Sequence, residues 1–211
     1  MKWKDLLQVV SSEPTFSSSL LLAGDVSKGD LQKQLTRWSA AGKLLQLRRG
    51  LYSVAPPYSN ATPHPFVIAN RLKSASYVSL QSALAYHGMI PEHVPVVTSV
   101  TTSRPGNVTN PLGTFIFRHI KPSLLHGFVQ IEAAPGQFAV VATPEKSLLD
   151  LVYLTPHSDS RAYLEELRLA NLDTLDLDAM REAAVNAQSA KLKRAVRHLA
   201  DLSDAEELET L

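Results

Sequence analysis

Between Ser27 and Val54 the spacing of apolar residues changes from helical to alternating, and the change falls at a glycine. The stretch reads SKGDLQKQLTRWSAAGKLLQLRRGLYSV. Leu31, Leu35 and Trp38 follow the i, i+4, i+7 rule of a single helix face. Ser27 and Asp30 make an S-x-x-D start resembling a capping box, and Gly42 supplies the stop. Beyond it Leu45 and Leu47 alternate with Gln46, Arg48-Arg49-Gly50 turns the chain, and Leu51 to Val54 returns. The pattern predicts a helix followed by a two-stranded hairpin with two arginines at its tip, the layout of a winged helix-turn-helix. Upstream, Trp3 to Val10 is expected to be a short helix with Trp3, Leu6, Leu7 and Val10 on one face. Thr15 to Ala23 fits a strand or a second short helix, with helix favoured for part of it and a turn at Gly24 and Asp25.

The segment APPYSNATPHPF, Ala55 to Phe66, holds four prolines in twelve residues. Such a run cannot continue a helix or a central strand, so it is read as an extended tether with a domain cut near residue 58. After it, Pro65 to Leu72 and Ser79 to His87 are expected to be helices, the second closed by Gly88. Four strand-like runs follow, Val94 to Thr101, Thr114 to Ile120, Gly127 to Glu132 and Gln137 to Ala142, separated by turn signals in RPGNVTNPLG and APG. Thr143-Pro144 opens a helix as N-cap and first helical residue. Helices are expected over about 159–170 and 178–200, and Ser203 with Glu206 has the S-x-x-E form of a further capping box. The predicted fold class is therefore α+β: a winged helix-turn-helix domain at 1–58, then a mixed α/β domain at 59–211 with a helical C-terminal part.

Composition narrows the setting. At 211 residues, 45% hydrophobic and 19% charged, the chain has enough apolar material for a real core. There is no cysteine, which removes disulfides and thiolate metal sites and fits a reducing interior. The apolar runs are too short to span a bilayer, and MKWKDLLQVV lacks the apolar stretch of a signal peptide. The expectation is a cytoplasmic protein with no membrane partner.

The formal net charge of +1 conceals an asymmetry: residues 1–58 sum to +4 and the remainder to −3. A basic front end suits contact with phosphate. At about 100° per residue, the helix face opposite Leu31, Leu35 and Trp38 carries Gly29, Lys33, Thr36, Arg37 and Ala40. Small residues there let a backbone approach base edges in a major groove. Lys28, at the helix start, and Gln32 flank this face, whereas Gln34 lies nearer the buried stripe. Lys33 or Arg37 is suited to a guanine edge, Lys28 and Lys43 to phosphate, and Arg48 and Arg49 to phosphate or minor-groove contact.

The run LTRWSAAGKLLQLRRGLY from Leu35 to Tyr52, followed by YVSLQSALAYHGMIPEHV and ATPEKSLLDLVYL, resembles the AbiEi family of bacterial proteins. These are the antitoxin and transcriptional-regulator components of AbiE-type toxin–antitoxin modules. The resemblance spans about residues 1–155 and is vaguer in the helical tail. It implies an N-terminal winged helix that binds inverted repeats of double-stranded DNA in the module's own promoter, with contacts on Lys33, Arg37, Arg48 and Arg49. It also implies a C-terminal domain that acts against a nucleotidyltransferase-like toxin. The motif positions Tyr77, Ser79, Ser82, Ala83, Tyr86, Gly88, Pro91, Glu92, Thr143, Pro144, Glu145 and Lys146 are expected to serve mainly as that domain's frame.

No enzyme reading places residues in named roles. The seven histidines show no H-x-H or H-E-x-x-H spacing, so no metal site is expected. Asp176-Leu177-Asp178 has the D-x-D form of a nucleotidyltransferase metal site but lacks a Gly-Ser phosphate turn before it. Glu145 and Lys146 fall in a first helical turn, where a carboxylate suits the helix dipole. Ser79 and Ser82 lack a neighbouring base and a nucleophile elbow. The cluster Lys191, Lys193, Arg194 and Arg197 is expected to be a solvated helix end. The sequence thus predicts a DNA-binding autorepressor and antitoxin without catalysis or cofactor. Competing readings are a protein-interaction adaptor, a lone regulator, and a degenerate nuclease-like protein.

Overall fold

The structure is a computed structural model that describes residues 1–10, 13–22, 27–59, 62–92 and 94–209, with side chains as far as Ala205. The expected turn at Gly24 and Asp25 lies outside the described residues. Helix α1, Trp3–Val10, buries Leu6 and Val10 on the predicted face. The ambiguous stretch after it is both things in turn, a short strand β1 at Phe16–Ser17 and a 3-10 turn at Leu20–Leu22.

Helix α2, Lys28–Ala40, begins at Ser27, whose hydroxyl accepts the Asp30 N–H at 3.1 Å and donates to the Asp30 carboxylate at 2.8 Å. Asp30 thus returns the bond to the capping hydroxyl. At the other end Gly42 adopts φ +68°, a left-handed conformation that a Cβ resists. Lys43 N–H then reaches the Trp38 carbonyl and Gly42 N–H the Ser39 carbonyl, the paired closure of a Schellman motif. Strands β2, Leu44–Arg48, and β3, Leu51–Val54, follow, and the sheet order is β1-β3-β2.

The hairpin keeps the alternation expected of it, with Leu45 and Leu47 on one face and Gln46 exposed on the other. Leu44 and Leu47 are its buried leucines and Leu45 is half-buried. Near the tip there is a bulge, since Gln46 faces Tyr52 while Arg48 faces Leu51, leaving Leu47 as the extra residue. The two faces of the hairpin serve two different cores, with Leu45 and Leu47 on one side and Leu44 on the other. Leu44 packs with Leu6, Leu31, Leu35 and Tyr52, whereas Leu47 and Leu51 belong to the large core of the remainder of the chain. Asn110 adds a side-chain hydrogen bond to the Leu47 carbonyl at 3.4 Å.

The proline-rich segment is pinned at both ends. Tyr58 meets the Trp3 ring edge-on at 5.4 Å. Gln137 accepts the His64 N–H at 2.8 Å and donates to the Thr62 carbonyl at 3.1 Å. The chain then forms α3 (Pro65–Leu72), β4 (Ser76–Val78), α4 (Leu80–Tyr86), β5 (Val97–Thr101), β6 (Gly106–Asn110), β7 (Gly113–His119), β8 (Phe128–Ala134) and β9 (Gln137–Ala142). These strands make one mixed sheet in the order β6-β7-β5-β4-β9-β8. Two strands were not anticipated. β4 is only three residues long, and β6 lies within the stretch taken for a turn, pairing with β7 from Gly106↔Phe117 to Asn110↔Gly113.

The helical layer comprises α5 (Pro144–Leu154), α6 (Arg161–Glu166), α7 (Leu177–Asn186) and α8 (Ala190–Glu209). Thr143 caps α5 as expected, accepting the Lys146 N–H. Two tail expectations are corrected. The helix expected over 178–200 is broken where Gln188 takes φ +49° and Ser189 N–H reaches back to Ala184. The capping box at Ser203 does not form, because α8 runs unbroken past it and buries Ser203 in its interior. Among the described residues, eight helices and two sheets make an α+β fold, and no helix is long and apolar enough to cross a membrane.

Candidate nucleic-acid interface

Burial of Leu31 and Leu35 fixes the roll of α2, and with it the residues turned to solvent. Lys28, Gln32, Lys33, Thr36 and Arg37 are all exposed, as are Gly29 and Ala40. Gln34 is half-buried. Lys33 stands 3.8 Å from Asp30, with both side chains well exposed, and such a pair holds its cation only weakly. Thr36 is exposed and donates its hydroxyl to the Gln32 carbonyl at 2.9 Å, which leaves its oxygen able to accept a further bond. Five of the eight candidate residues therefore share one continuous face of a capped helix.

The other three lie elsewhere. Lys43 is half-buried, its ammonium 5.2 Å from the Trp3 ring centre and 5.5 Å from that of Tyr58. That position is an internal cation–π contact and removes Lys43 from the exposed face of α2. Arg48 and Arg49 are exposed at the hairpin tip. Arg48 leans on the large unit, donating to the Arg49 carbonyl at 3.3 Å and the Arg71 carbonyl at 3.5 Å. The Arg49 guanidinium has no partner among the described residues.

The tip meets basic residues that the sequence reading passed over. Arg71 and Arg104 are exposed and Lys73 is half-buried. The Lys73 ammonium bonds the Arg104 carbonyl and sits 5.2 Å from the Phe117 ring centre. Its carbonyl and ring partners hold the Lys73 cation without neutralising it. Glu13 is the acid that intrudes, 3.8 Å from Arg71. A signal for this extension stood in the sequence. From 59 to 131 the basic residues are Arg71, Lys73, Arg104, Arg118 and Lys121, and Glu92 is the sole acid. The charge divide thus falls near residue 131: the part before it sums to +8 and the part after it to −7. A cut placed at the proline run masks this.

Three of the motif residues of the second unit, Tyr77, Ser79 and Lys146, converge on a buried cluster. Asp150 Oδ2 accepts from Tyr77 at 2.9 Å and from Ser79 at 2.8 Å, and its Oδ1 lies 2.7 Å from the Lys146 ammonium. Lys146 also donates to the Leu124 carbonyl at 2.8 Å. Burial pushes the Asp150 carboxyl upward against the pull of Lys146, and it pushes the Tyr77 hydroxyl upward as well. Asp150 was not singled out in the sequence, although it stands one helical turn beyond Lys146. Asp176 caps α7, accepting the Ala179 N–H at 2.9 Å, and Asp178 pairs with Arg181. Both carboxylates of the D-x-D stretch therefore have local work. Within the C-terminal basic cluster, Arg194 pairs with Asp159 at 2.7 Å and Lys191 bonds the Thr155 carbonyl, so these two fasten α8 to the loop after α5.

No family model matches the chain, and no curated protein matches it. It is similar to the crystal structure of the RV2827C protein from Mycobacterium tuberculosis, at 17% identity and a TM-score of 0.45. The match covers 93% of this chain and 80% of that chain.

Proposed function

We propose that the protein is a non-catalytic, DNA-binding transcriptional regulator of the AbiEi type, working in the cytoplasm. In this reading residues 27–54 are the recognition helix and wing of a winged helix-turn-helix. The protein represses its own promoter at inverted repeats and acts as antitoxin to a nucleotidyltransferase-like toxin. The observation that carries the DNA half is the outward face of α2. Lys28, Gln32, Lys33, Thr36 and Arg37 are exposed together on a helix fixed at both ends. The cations of Arg49, Arg71 and Arg104 beyond the tip supply phosphate contacts alongside it. The antitoxin half rests on the motif resemblance.

Fluorescence anisotropy with the chain's own upstream DNA, over a range of salt, tests the DNA half. Affinity should fall steeply as salt rises, and each lost phosphate contact should lower the log–log slope by about one. Lys33→Ala/Arg37→Ala should weaken binding and relax sequence preference, and Arg48→Ala/Arg49→Ala should reduce the slope. Unchanged affinity and slope in both variants would refute the assignment. For the antitoxin half, the check is rescue of growth on co-expression with the product of a neighbouring reading frame that carries a G-S-x-x-D-x-D pattern.

A further inference from the structure

Strand β8 closes one side of the large sheet, with β9 as its only neighbour in that sheet. Phe128 is 40% exposed and Val129 47%. From Phe128 to Glu132 the strand carries one charge, Glu132, and no proline. Its bulge comes only between Glu132 and Ala134. Natural edge strands are usually blunted by lysines, prolines or bulges, and this five-residue run has none of them.

The direction of its free backbone groups follows from the ladder. Phe128 lies opposite Ala142 and Val129 opposite Val141, and the Thr143 N–H bonds the Gly127 carbonyl at 3.0 Å. Bonded and non-bonded pairs alternate along an antiparallel ladder. Gly127, Val129 and Ile131 therefore turn their N–H and C=O toward β9, whereas Phe128, Gln130 and Glu132 turn theirs outward.

We propose that β8 pairs antiparallel with β8 of a second copy of this chain, centred on Gln130, joining two six-stranded sheets across a two-fold axis. In that register the outward groups of Gln130 meet their own copies, and those of Phe128 meet those of Glu132 in the second copy. Val129 then covers Ile131 of the second copy. The two Glu132 carboxylates stand apart, whereas a register centred on Glu132 would set like charges directly opposite. The inference rests on the ladder and does not depend on the DNA reading, so either can fail without the other.

Sedimentation of the full chain over a wide concentration range should show a species of twice 23.1 kDa. Val129→Lys should weaken that dimer by at least about tenfold. Because the chain has no cysteine, Gln130→Cys reports the register directly, since facing residues of a bonded pair, about 5.5 Å apart at Cα, lie within reach of a short bifunctional maleimide. It should form a cross-linked dimer with that reagent, while Glu182→Cys on the surface of α7 should remain uncross-linked. Both β8 variants replace exposed side chains, and their melting temperatures should match that of the parent. A chain that stays monomeric at every concentration would overturn the proposal. So would a dimer that tolerates Val129→Lys and leaves Gln130→Cys uncross-linked.

Discussion

Asp150 and Lys146 show what single residues contribute in the second unit. Both are buried, at 1% and 6% exposure, and a buried ion pair is most sensitive to loss of one member. Lys146→Met should cost about 3–5 kcal/mol in urea denaturation, because it strands a carboxylate in the core. The pH dependence has a definite sign. The Asp150 carboxyl is already raised by burial, and removing the lysine raises it further. The folded chain then binds a proton more tightly than the unfolded one. Stability tied to this group is present at low pH and is lost as pH rises through the folded-state value. Lys146→Met should therefore be more damaging at pH 8 than at pH 5. Gly127 supplies a second test at the same place. It holds φ +74°, and an added Cβ would stand 3.1 Å from Lys146 Cβ and Cγ. Gly127→Ala should lower stability by about 1–3 kcal/mol, read as a drop in melting temperature.

Elements whose ends are set by local chemistry were legible in the sequence. Helices α1 and α3 lie at the predicted residues, and the N-caps Ser27 and Thr143 with the stops Gly42 and Gly88 mark real boundaries. The candidate face of α2 follows from the same periodicity that predicts the helix. Elements set by tertiary context were hidden. β6 is a sheet edge with one side in solvent, so GNVTN can pair there despite its turn-like composition. The break between α7 and α8 has no glycine to announce it, because Gln188 takes the left-handed position, and Ser189 as the next cap was the available clue. The surface that Leu45 and Leu47 pack against is one the hairpin's own sequence does not contain. Asp150 stayed invisible because its partners Tyr77 and Ser79 lie more than 70 residues away.

At the scale of the whole molecule, the hairpin makes the proline run a poor guide to independence. With Leu44 in the small core and Leu47 and Leu51 in the large one, the parts are expected to melt together. Calorimetry should show a single transition whose enthalpy matches the van't Hoff value. Two resolved transitions would show that the units unfold separately. Residues 1–58 made alone would expose Leu47 and Leu51 and keep only the small core, too little for a stable fold at that length. Adding residues 59–211 as a separate piece should restore that fold, seen as a gain of helical circular dichroism beyond the sum of the parts. The interlocking that the two-faced hairpin creates then has a simple meaning. The peptide connection across the prolines should prove dispensable for assembly, a severed chain finding its other half and closing up around it.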